Sequence, residues 1–472
     1  MDRRKFFRNG SLAAIGSTLL NPFQSSANTY IADNEGRNKK AKNIIFLVSD
    51  GMSIGTLNMA DMYLKRKYGT PSNWIDLYKN NRVTRALMET ASANSIVTDS
   101  SAGSSAWGCG VRVNNGALNV DPLGEPHLPI WQKFKKVGKK AGVVTTVPVT
   151  HATPAGFCVT SKSRNSQEDI ASQYLELQLD VILGGGNQYF AADRRKDSTD
   201  MYAAFEAKGY QVVKTRREMQ LASAGKPILG IFGEDALPYY VDRNNDAELT
   251  ETVPSLAEMT QKAIDGMKNH KKGFVLQVES GKVDWAAHAN DIAGLIHDQI
   301  EFDQAIRVAM DFAEKDKETL VIITTDHGNA NPGVIYGKYA NLNFDSIQGY
   351  TKTNETILNQ INRKSKPSQV REIIEAGNGE TVTIEDAKIL LDYYDGLDKD
   401  EAGFYNYRRL PFKAFAEMQK KRNSVGWISM DHSADYVELA MYGPGSKLLT
   451  PFVKNTDLHF MMLRAAEIEN KF

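Results

Sequence analysis

The sequence predicts an α/β protein with a doubly wound, mostly parallel central sheet and helices on both faces. Its short apolar runs are continuous rather than alternating, which is typical of strands buried on both faces of a parallel sheet. Helical stretches separate these runs, and this alternation of strand and helix is the pattern of a doubly wound sheet. A chain of 472 residues is also long enough to bury the core that such a sheet requires.

Six runs are predicted as strands, and longer amphipathic stretches lie between them. The strands are expected at residues 44–49, 142–149, 180–183, 274–278, 321–325 and 437–442. The helices are expected at residues 128–140, 165–179, 255–269, 292–315 and 456–470. Ligands of such sheets bind outside the carboxyl ends of the strands, so this edge is where we expect the chemistry.

One segment departs from the alternation. Residues 331–425 are polar, are rich in Asn, Lys, Glu and Tyr, and contain few strand candidates. Helix-like pieces occur at residues 366–376, 384–395 and 411–421. We predict a polar surface insertion within one catalytic domain of residues 28–472. The aromatic residues of the insertion are compatible with an interface or with a local core.

The composition excludes several classes of protein. The chain carries 57 basic and 57 acidic residues, whereas a nucleic-acid binder has an excess of Lys and Arg. With only Cys109 and Cys158, a disulfide framework or an all-cysteine zinc site is also excluded. Two buried thiols are favoured by the small neighbouring residues, although pairing in an oxidising compartment is an alternative.

The N-terminus has the pattern of an export signal. Arg3 and Arg4 precede a moderately apolar stretch at residues 11–23, and small residues follow at 25–27. Adjacent arginines predict a twin-arginine signal over residues 1–27, which exports a folded protein to the periplasm or the medium. A transmembrane anchor or a basic helix start are the alternatives. No other segment approaches the roughly 18 apolar residues of a membrane span, so no stable membrane insertion is expected after export.

Side chains of metal-ligand type lie close to the ends of the predicted strands. They are Asp50, Glu279, Asp284, His288, Asp326, His327 and His432. Carboxylates and imidazoles suit Zn²⁺, whereas an oxygen-only subset such as Asp50, Glu279 and Thr153 suits Mg²⁺. Each residue alone could be a helix cap or a core residue. Their joint placement predicts a metal centre.

A serine-rich segment supplies a candidate nucleophile. Small residues follow Asp99 and Ser100, which permits a tightly packed helix that begins near Ser100. The N-terminus of a helix presents free N–H groups to an anion. A serine at this place beside a zinc ion could lose its proton and act as a nucleophile. The alternative is a serine-rich helix cap.

At this point the residues resemble the alkaline phosphatase family. The matching motifs occur in family order and cover most of the chain from Asp50 to His432. The motifs are Ser49-Asp50-Gly51-Met52, Thr98-Asp99-Ser100, Asn115-Gly116-Ala117-Leu118, His151-Ala152-Thr153-Pro154-Ala155, Leu183-Gly184-Gly185-Gly186, the run from Val278 to His288, Thr325-Asp326-His327 and His432-Ser433-Ala434.

The resemblance implies a metal-dependent hydrolase of small phosphate monoesters that forms a phosphoserine at Ser100. It also implies two Zn²⁺ ions and one Mg²⁺ ion per chain, a homodimer, and a crown-like role for the insertion. Arg164 would clamp the phosphate, and Lys162 nearby is the weaker candidate. The implied ligands are Asp284, His288 and His432 for the first zinc, Asp50, Asp326 and His327 for the second, and Asp50, Thr153 and Glu279 for magnesium. The implied substrate-binding residues are Arg164, Asp99, His151 and Trp285.

Two positions depart from the best-known enterobacterial members of the family. These members carry Asp and Lys where this chain has His151 and Trp285, while some marine bacterial members carry His and Trp together. The departure leaves the expected chemistry intact. It puts the Mg²⁺ specificity of the third metal site in doubt and predicts weaker binding of phosphate.

Two other hypotheses remain open on the sequence. A phosphodiesterase, sulfatase or mutase of the same superfamily is one, but many diesterases use Thr as nucleophile. Sulfatases require Cys or Ser followed by x-Pro-x-Arg, whereas Ser101 and Ala102 follow Ser100. The other hypothesis is an exported metal-binding or adhesive protein with an inactive site, which the complete set of expected ligands disfavours.

Overall fold

The computed structural model describes residues 40–379, 382–400 and 403–470, so the predicted export signal lies outside the described residues. The strands are β1 (Asn43–Ser49), β2 (Thr84–Glu89), β3 (Lys140–Pro148), β4 (Val181–Gly185), β5 (Gln211–Val213), β6 (Ile228–Ile231), β7 (Phe274–Ser280), β8 (Thr319–Thr324), β9 (Gly328–Asn329), β10 (Gly333–Val334), β11 (Val425–Gly426), β12 (His432–Ser433), β13 (Val437–Tyr442) and β14 (Phe452–Lys454).

The α-helices alternate with these strands through most of the described chain. They are α1 (Ile54–Tyr68), α2 (Asn73–Lys79), α3 (Ser100–Cys109), α4 (Ile130–Lys136), α5 (Ala152–Cys158), α6 (Gln167–Leu177), α7 (Met201–Ala207), α8 (Arg216–Leu221), α9 (Tyr240–Asn244), α10 (Ala247–Thr252), α11 (Leu256–Met267), α12 (Lys282–His288), α13 (Ile292–Asp316), α14 (Ala340–Ser346), α15 (Asn354–Gln360), α16 (Pro367–Asn378), α17 (Ile384–Asp392), α18 (Phe412–Asn423) and α19 (Asp457–Ala465).

Within the described residues, ten strands form one sheet in the order β14-β2-β13-β8-β1-β7-β3-β4-β6-β5. Strand β1 lies near the centre and pairs in parallel with β7 and β8. All six predicted strands are present in this sheet. The sequence did not predict β2, β5, β6 and β14, because they are short or alternate in burial and so lack a long continuous apolar run.

The expectation of a parallel strand at residues 437–442 is wrong. Strand β13 runs antiparallel to both of its neighbours, β8 and β2. The physical reason is local, because β12 pairs antiparallel with β9 just beyond the carboxyl end of β8. The chain therefore enters β13 at the edge where β8 ends and must run in the opposite direction.

Helices cover both faces of the sheet. Along β1, Ile45 and Leu47 pack into one apolar cluster with α1, α11 and α13, whereas Ile44, Phe46 and Val48 pack into another with α3, α4, α6 and α19. Successive side chains of a strand point to opposite faces, so a fully apolar strand requires a core on each side. The predicted fold class is confirmed.

The segment 331–425 contains helices α14 to α18 and an apolar cluster of its own. This cluster includes Val370, Leu390, Tyr394 and Phe415. The three predicted helical pieces correspond to α16, α17 and α18. Tyr394 and Tyr405 are buried in a local core as one of the two expectations predicted, whereas Tyr336, Tyr339, Tyr393 and Phe404 are exposed.

Backbone N–H groups of this segment bond to carboxylates of the sheet domain. The N–H of Thr353 donates to Asp242 at 2.9 Å, and that of Asn354 donates to Asp291. None of the helices in residues 40–379, 382–400 and 403–470 is long and apolar enough to cross a membrane. Cys109 and Cys158 are both buried and do not form a disulfide.

Candidate active site

Three neighbouring parallel strands end together and bring the predicted ligands to one edge of the sheet. In the register of the sheet, Val48 of β1 lies beside Glu279 of β7 and Thr324 of β8. Asp50 follows β1, while Asp326 and His327 follow β8. Helix α12 begins just after β7 and carries the remaining ligands of this strand, Asp284 and His288. The pairing of His432 with Asn329 brings the last predicted ligand to the same edge.

Asp284, His288 and His432 form the first group of possible metal ligands. The Nε2 atoms of the two histidines lie 3.0 Å apart, and each lies 3.4 Å from an Asp284 oxygen. Their Nδ1 atoms face backbone carbonyls, that of Met430 at 2.6 Å and that of Thr98 at 3.0 Å. Bonding to a carbonyl places a proton on Nδ1 and leaves Nε2 as an electron-pair donor. Two such donors and a carboxylate converging on one point fit a zinc ion.

Asp50, Asp284 and His327 form the second group. The family resemblance implied Asp326 rather than Asp284 for this group, and Asp326 is also adjacent. Its Oδ2 atom lies 3.3 Å from His327 Nε2 and, although buried, has no hydrogen-bond partner among the described residues. A buried carboxylate oxygen without a partner is costly, so this arrangement also fits a cation. Asp284 lies between the first and second groups.

Asp50, His151 and Glu279 form the third group, and Thr153 lies beside them. Thr153 donates to Asp50 Oδ2 at 3.3 Å. Glu279 Oε1 is buried and has no partner in the described part of the chain, and burial raises the pKa of Glu279 to about 8. Asp50, Thr153 and Glu279, which the resemblance implied as magnesium ligands, therefore lie together, and the imidazole of His151 lies beside them.

Ser100 lies where the sequence predicted, at the start of α3. Its Oγ atom is 3.3 Å from His327 Nε2 and 3.4 Å from Asp50 Oδ1. The residue that caps the helix is Asp99, whose side chain accepts from the N–H of Ala102 at 2.9 Å. Ser100 is therefore free of the capping role that the alternative interpretation gave to the serines.

The small residues of α3 are required by its packing. A Cβ atom on Gly108 would lie 2.0 Å from the carbonyl oxygen of Gly156 in α5. A Cβ atom on Gly103 would lie 3.1 Å from the Cβ atom of Asp326. The approach at Gly108 packs α3 against α5. The approach at Gly103 places the N-terminal part of α3 beside the ligand Asp326, where the free N–H groups of the helix attract an anion.

Arg164 lines the same cavity as Ser100 and is held by two neighbours. Its Nη1 atom donates to Asp99 at 3.1 Å, and its Nη2 atom donates to His151 Nε2 at 3.1 Å. Burial raises the pKa of Asp99, but Arg164 and the Ala102 N–H outweigh it, so this pKa is lowered overall. Burial and Arg164 together lower the pKa of His151 to about 3. Both neighbours therefore keep the guanidinium oriented without adding a competing positive charge.

The motifs described above belong to a family signature that extends along the sequence of the described residues. The model of the alkaline phosphatase family matches residues 41–468. The chain belongs to the alkaline phosphatase family. Alkaline phosphatases are phosphoric monoester hydrolases, so the chain is an enzyme of this class, as the sequence predicted.

Individual alkaline phosphatases resemble the chain over most of its length. Alkaline phosphatase 4 of Bacillus subtilis is 31% identical over 423 residues, which are 88% of this chain and 87% of that protein. The crystal structure of Thermus thermophilus alkaline phosphatase is 32% identical, covers 96% of both chains and superposes with a TM-score of 0.83. The cold-active enzyme from Shewanella sp. is 26% identical with a TM-score of 0.75, covering 90% of this chain and 99% of its own.

Two residues that support the site of this alkaline phosphatase were missed by the sequence analysis. Asn329 donates to Asp284 Oδ1 at 2.7 Å, and Thr145 donates to Glu279 Oε2 at 2.6 Å. Thr145 is inside a strand, and Asn329 follows the His327 motif by two residues. Neither position has a sequence signal of its own, because both act through contacts that only the fold creates.

The other predicted substrate-binding residue, Trp285, also lines the cavity. Its ring meets that of His151 edge-on, with 6.3 Å between centroids. Tyr407 of the segment 331–425 donates to the carbonyl of Trp285 at 3.1 Å. Lys162 is exposed and does not line the cavity, so the structure favours Arg164 over Lys162 for contact with a ligand.

Proposed function

We propose that this chain hydrolyses phosphate monoesters to inorganic phosphate and an alcohol through a phosphoserine at Ser100. The observation that carries the proposal is the placement of the Ser100 Oγ atom. It lies at a helix N-terminus, 3.3 Å from His327 and 3.4 Å from Asp50, in a cavity shared with Arg164. This combination provides a nucleophile, ligands for an activating metal and a cation for the phosphoryl oxygens.

The proposal includes two Zn²⁺ ions and one Mg²⁺ ion. The zinc ligands would be Asp284, His288 and His432 at the first site and Asp50, Asp326 and His327 at the second. The magnesium ligands would be Asp50, Thr153 and Glu279. The buried carboxylates support this, since burial and the neighbouring Asp326 and Asp284 raise the pKa of Asp50 well above its ordinary value. When bound, such metals lower the pKa of a coordinated hydroxyl or water and neutralise charge on phosphoryl and leaving oxygens.

The residues of the chain would then act in two steps. Ser100 Oγ loses its proton and attacks phosphorus in line, the bond from phosphorus to the ester oxygen breaks, and the alcohol leaves with a proton. Water then attacks the phosphoserine, the bond from phosphorus to Oγ breaks, and Ser100 and phosphate are released. In both steps the fork of Arg164 holds two non-bridging oxygens, while Asp99 and His151 fix its orientation.

The substrate class is tested by comparing p-nitrophenyl phosphate with bis-p-nitrophenyl phosphate on the metal-loaded enzyme. We expect kcat/KM for the monoester to exceed that for the diester by about a thousandfold, since a bidentate arginine and three cations favour a dianionic phosphoryl group. Rates at alkaline pH with purified protein provide the measurement. A faster diester reaction would replace this proposal with the phosphodiesterase alternative.

Trp285 is expected to set the strength of phosphate binding. Trp285→Lys places an ammonium beside His151 and Arg164, so the inhibition constant of phosphate should fall by about tenfold as a charge-assisted contact forms. Trp285→Phe is the matched control, because it keeps an aromatic ring without adding charge. Competitive inhibition by phosphate measures both variants, and an inhibition constant that Trp285→Lys leaves unchanged would remove Trp285 from the phosphate site.

Export and assembly are part of the same proposal. We infer that residues 1–27 direct twin-arginine export, which places residues 28–472 in the periplasm or the medium as one catalytic domain. The segment 331–425 would be its crown-like surface insertion. A homodimer is supported by the exposed apolar side chains at the start of this segment, where Ile335, Tyr336, Tyr339 and Leu342 are each about half exposed or more.

A further inference from the structure

The cavity that holds Ser100 and Arg164 extends well beyond the space that a phosphoryl group requires. Its volume is about 1610 Å³, larger than the roughly 300–1,000 Å³ of ordinary small-molecule pockets. The distal part is bounded by Tyr239, Lys282 and Trp285 on the sheet domain and by Glu355 and Tyr407 on the insertion. The leaving group of a phosphate ester would occupy this part.

Lys282 is a buried ammonium at the wall of the distal part. The residue is 5% exposed, and its Nζ atom lies 3.5 Å from the ring centroid of Tyr239 and 4.9 Å from that of Trp285. Across the described ranges, Nζ has no hydrogen bond and no carboxylate within 4.0 Å. Aromatic faces stabilise a cation but accept none of its N–H groups in the usual hydrogen-bond geometry. Lys282 therefore retains unused donors that face the cavity.

Glu355 is the complementary group on the insertion. It is half-buried near the start of α15, and its carboxylate has no hydrogen-bond partner in the part of the chain that the structure describes. The neighbouring carboxylate of Asp242 differs from that of Glu355 because it already accepts hydrogen bonds from Thr353 and Thr356. Glu355 is thus an acceptor available to a ligand. Lys282 interacts with it electrostatically, but the two charged groups do not approach within 4.0 Å.

A polyhydroxylated ligand can satisfy both residues, because one hydroxyl oxygen accepts from the ammonium while another hydroxyl donates to the carboxylate. We propose that Lys282 and Glu355 form a leaving-group subsite for polyhydroxylated alcohols, so that sugar phosphates are the preferred monoesters; this rests on the phosphomonoesterase function proposed above. The aromatic side chains of Trp285 and Tyr407, which line the same cavity, supply apolar surface for the C–H groups of a sugar. An alkyl leaving group would offer a hydrogen bond to neither residue, and a polyanion would be repelled by the carboxylate of Glu355.

The test compares glucose 6-phosphate with n-hexyl phosphate, whose leaving group has similar length but carries no additional hydroxyl groups. On the metal-loaded enzyme we expect kcat/KM to favour the sugar phosphate by at least about tenfold, the effect of hydrogen bonds to charged groups. Glu355→Gln should reduce this ratio by about tenfold, since it replaces a charged acceptor by a neutral one. Lys282→Met should reduce the same ratio. Glu372→Gln, an exposed glutamate on α16, is the matched control and should not change it.

The outcomes separate this inference from the proposed function. A ratio near one, or a ratio that neither Glu355→Gln nor Lys282→Met changes, would overturn the subsite while hydrolysis of p-nitrophenyl phosphate still supported the phosphatase. A strong preference for fructose 1,6-bisphosphate that depends on Lys282 alone would also overturn it, because that result describes an anion site. Failure to hydrolyse any monoester would overturn both. Metal content and thermal melting of each variant identify losses that arise from damage to the fold.

Discussion

Ser100→Ala is expected to reduce the hydrolysis of p-nitrophenyl phosphate by at least about a thousandfold, the scale on which enzymes lose activity without their nucleophile. The Ser100 Oγ atom lies 3.3 Å from His327 Nε2 and 3.4 Å from Asp50 Oδ1, at the N-terminus of α3. Alanine keeps the helix and removes only one oxygen atom. The variant should therefore retain its metal content and melting temperature, measured by elemental analysis and by calorimetry.

Ser105→Ala is the matched control on the same helix. Ser105 is also buried, but its Oγ atom accepts from the N–H of Asn119 and contacts no predicted metal ligand. We expect this variant to keep activity within about threefold, as for a neutral hydrogen bond outside the reacting atoms. Radioactive phosphate should label the wild-type protein and the Ser105 variant but not the Ser100 variant. Full activity or labelling in Ser100→Ala would move the nucleophile to another residue.

Removal of metals is the second large effect, and it should abolish activity and lower the melting temperature by about 5 °C or more. Asp50, Glu279, Asp284 and Asp326 are all buried together at the carboxyl ends of the strands. Without cations these carboxylates repel one another, and two of their oxygens have no hydrogen-bond partner among the described residues. EDTA treatment followed by addition of Zn²⁺ and Mg²⁺, with activity and calorimetry at each stage, measures the effect.

The loss of stability on metal removal should depend on pH in a direction that the pKa of Glu279 determines. Burial raises the pKa of Glu279 to about 8 in the metal-free protein, above the roughly 4.3 of an unfolded chain. Between these two pH values the folded metal-free protein binds one more proton at Glu279 than the unfolded chain does. This group's contribution to the free energy of unfolding therefore falls as pH rises through this window. Binding of a metal ion by the third group of ligands below pH 8 should release protons, and the affinity for the metal should fall as pH falls. A chelated protein that keeps its activity, or melts at the same temperature as the loaded protein, would contradict the metal assignment.

The sequence by itself determined the elements that depend on local chemistry. Continuous apolar runs identified the central strands β1, β3, β4, β7 and β8, because burial on both faces requires apolar residues throughout. The start of α3 was predicted at Ser100, because small residues after Asp99 permit a helix packed closely against its neighbours. The family resemblance was predicted from the order of the motifs and was confirmed by the family match over residues 41–468.

Other features were decided only by the tertiary structure, because they depend on contacts between residues far apart in the chain. The antiparallel direction of β13 follows from the pairing of β9 with β12, which residues 437–442 do not encode. Asn329 bonds to Asp284, and Asp284 is shared between two ligand groups, because β9 and its partner β12 lie at the ligand-bearing end of the sheet. Lys282 and Glu355 likewise line one cavity only because the insertion folds against the sheet domain. Local sequence specifies which groups are present, whereas the distances that give them a function arise when the core closes around them.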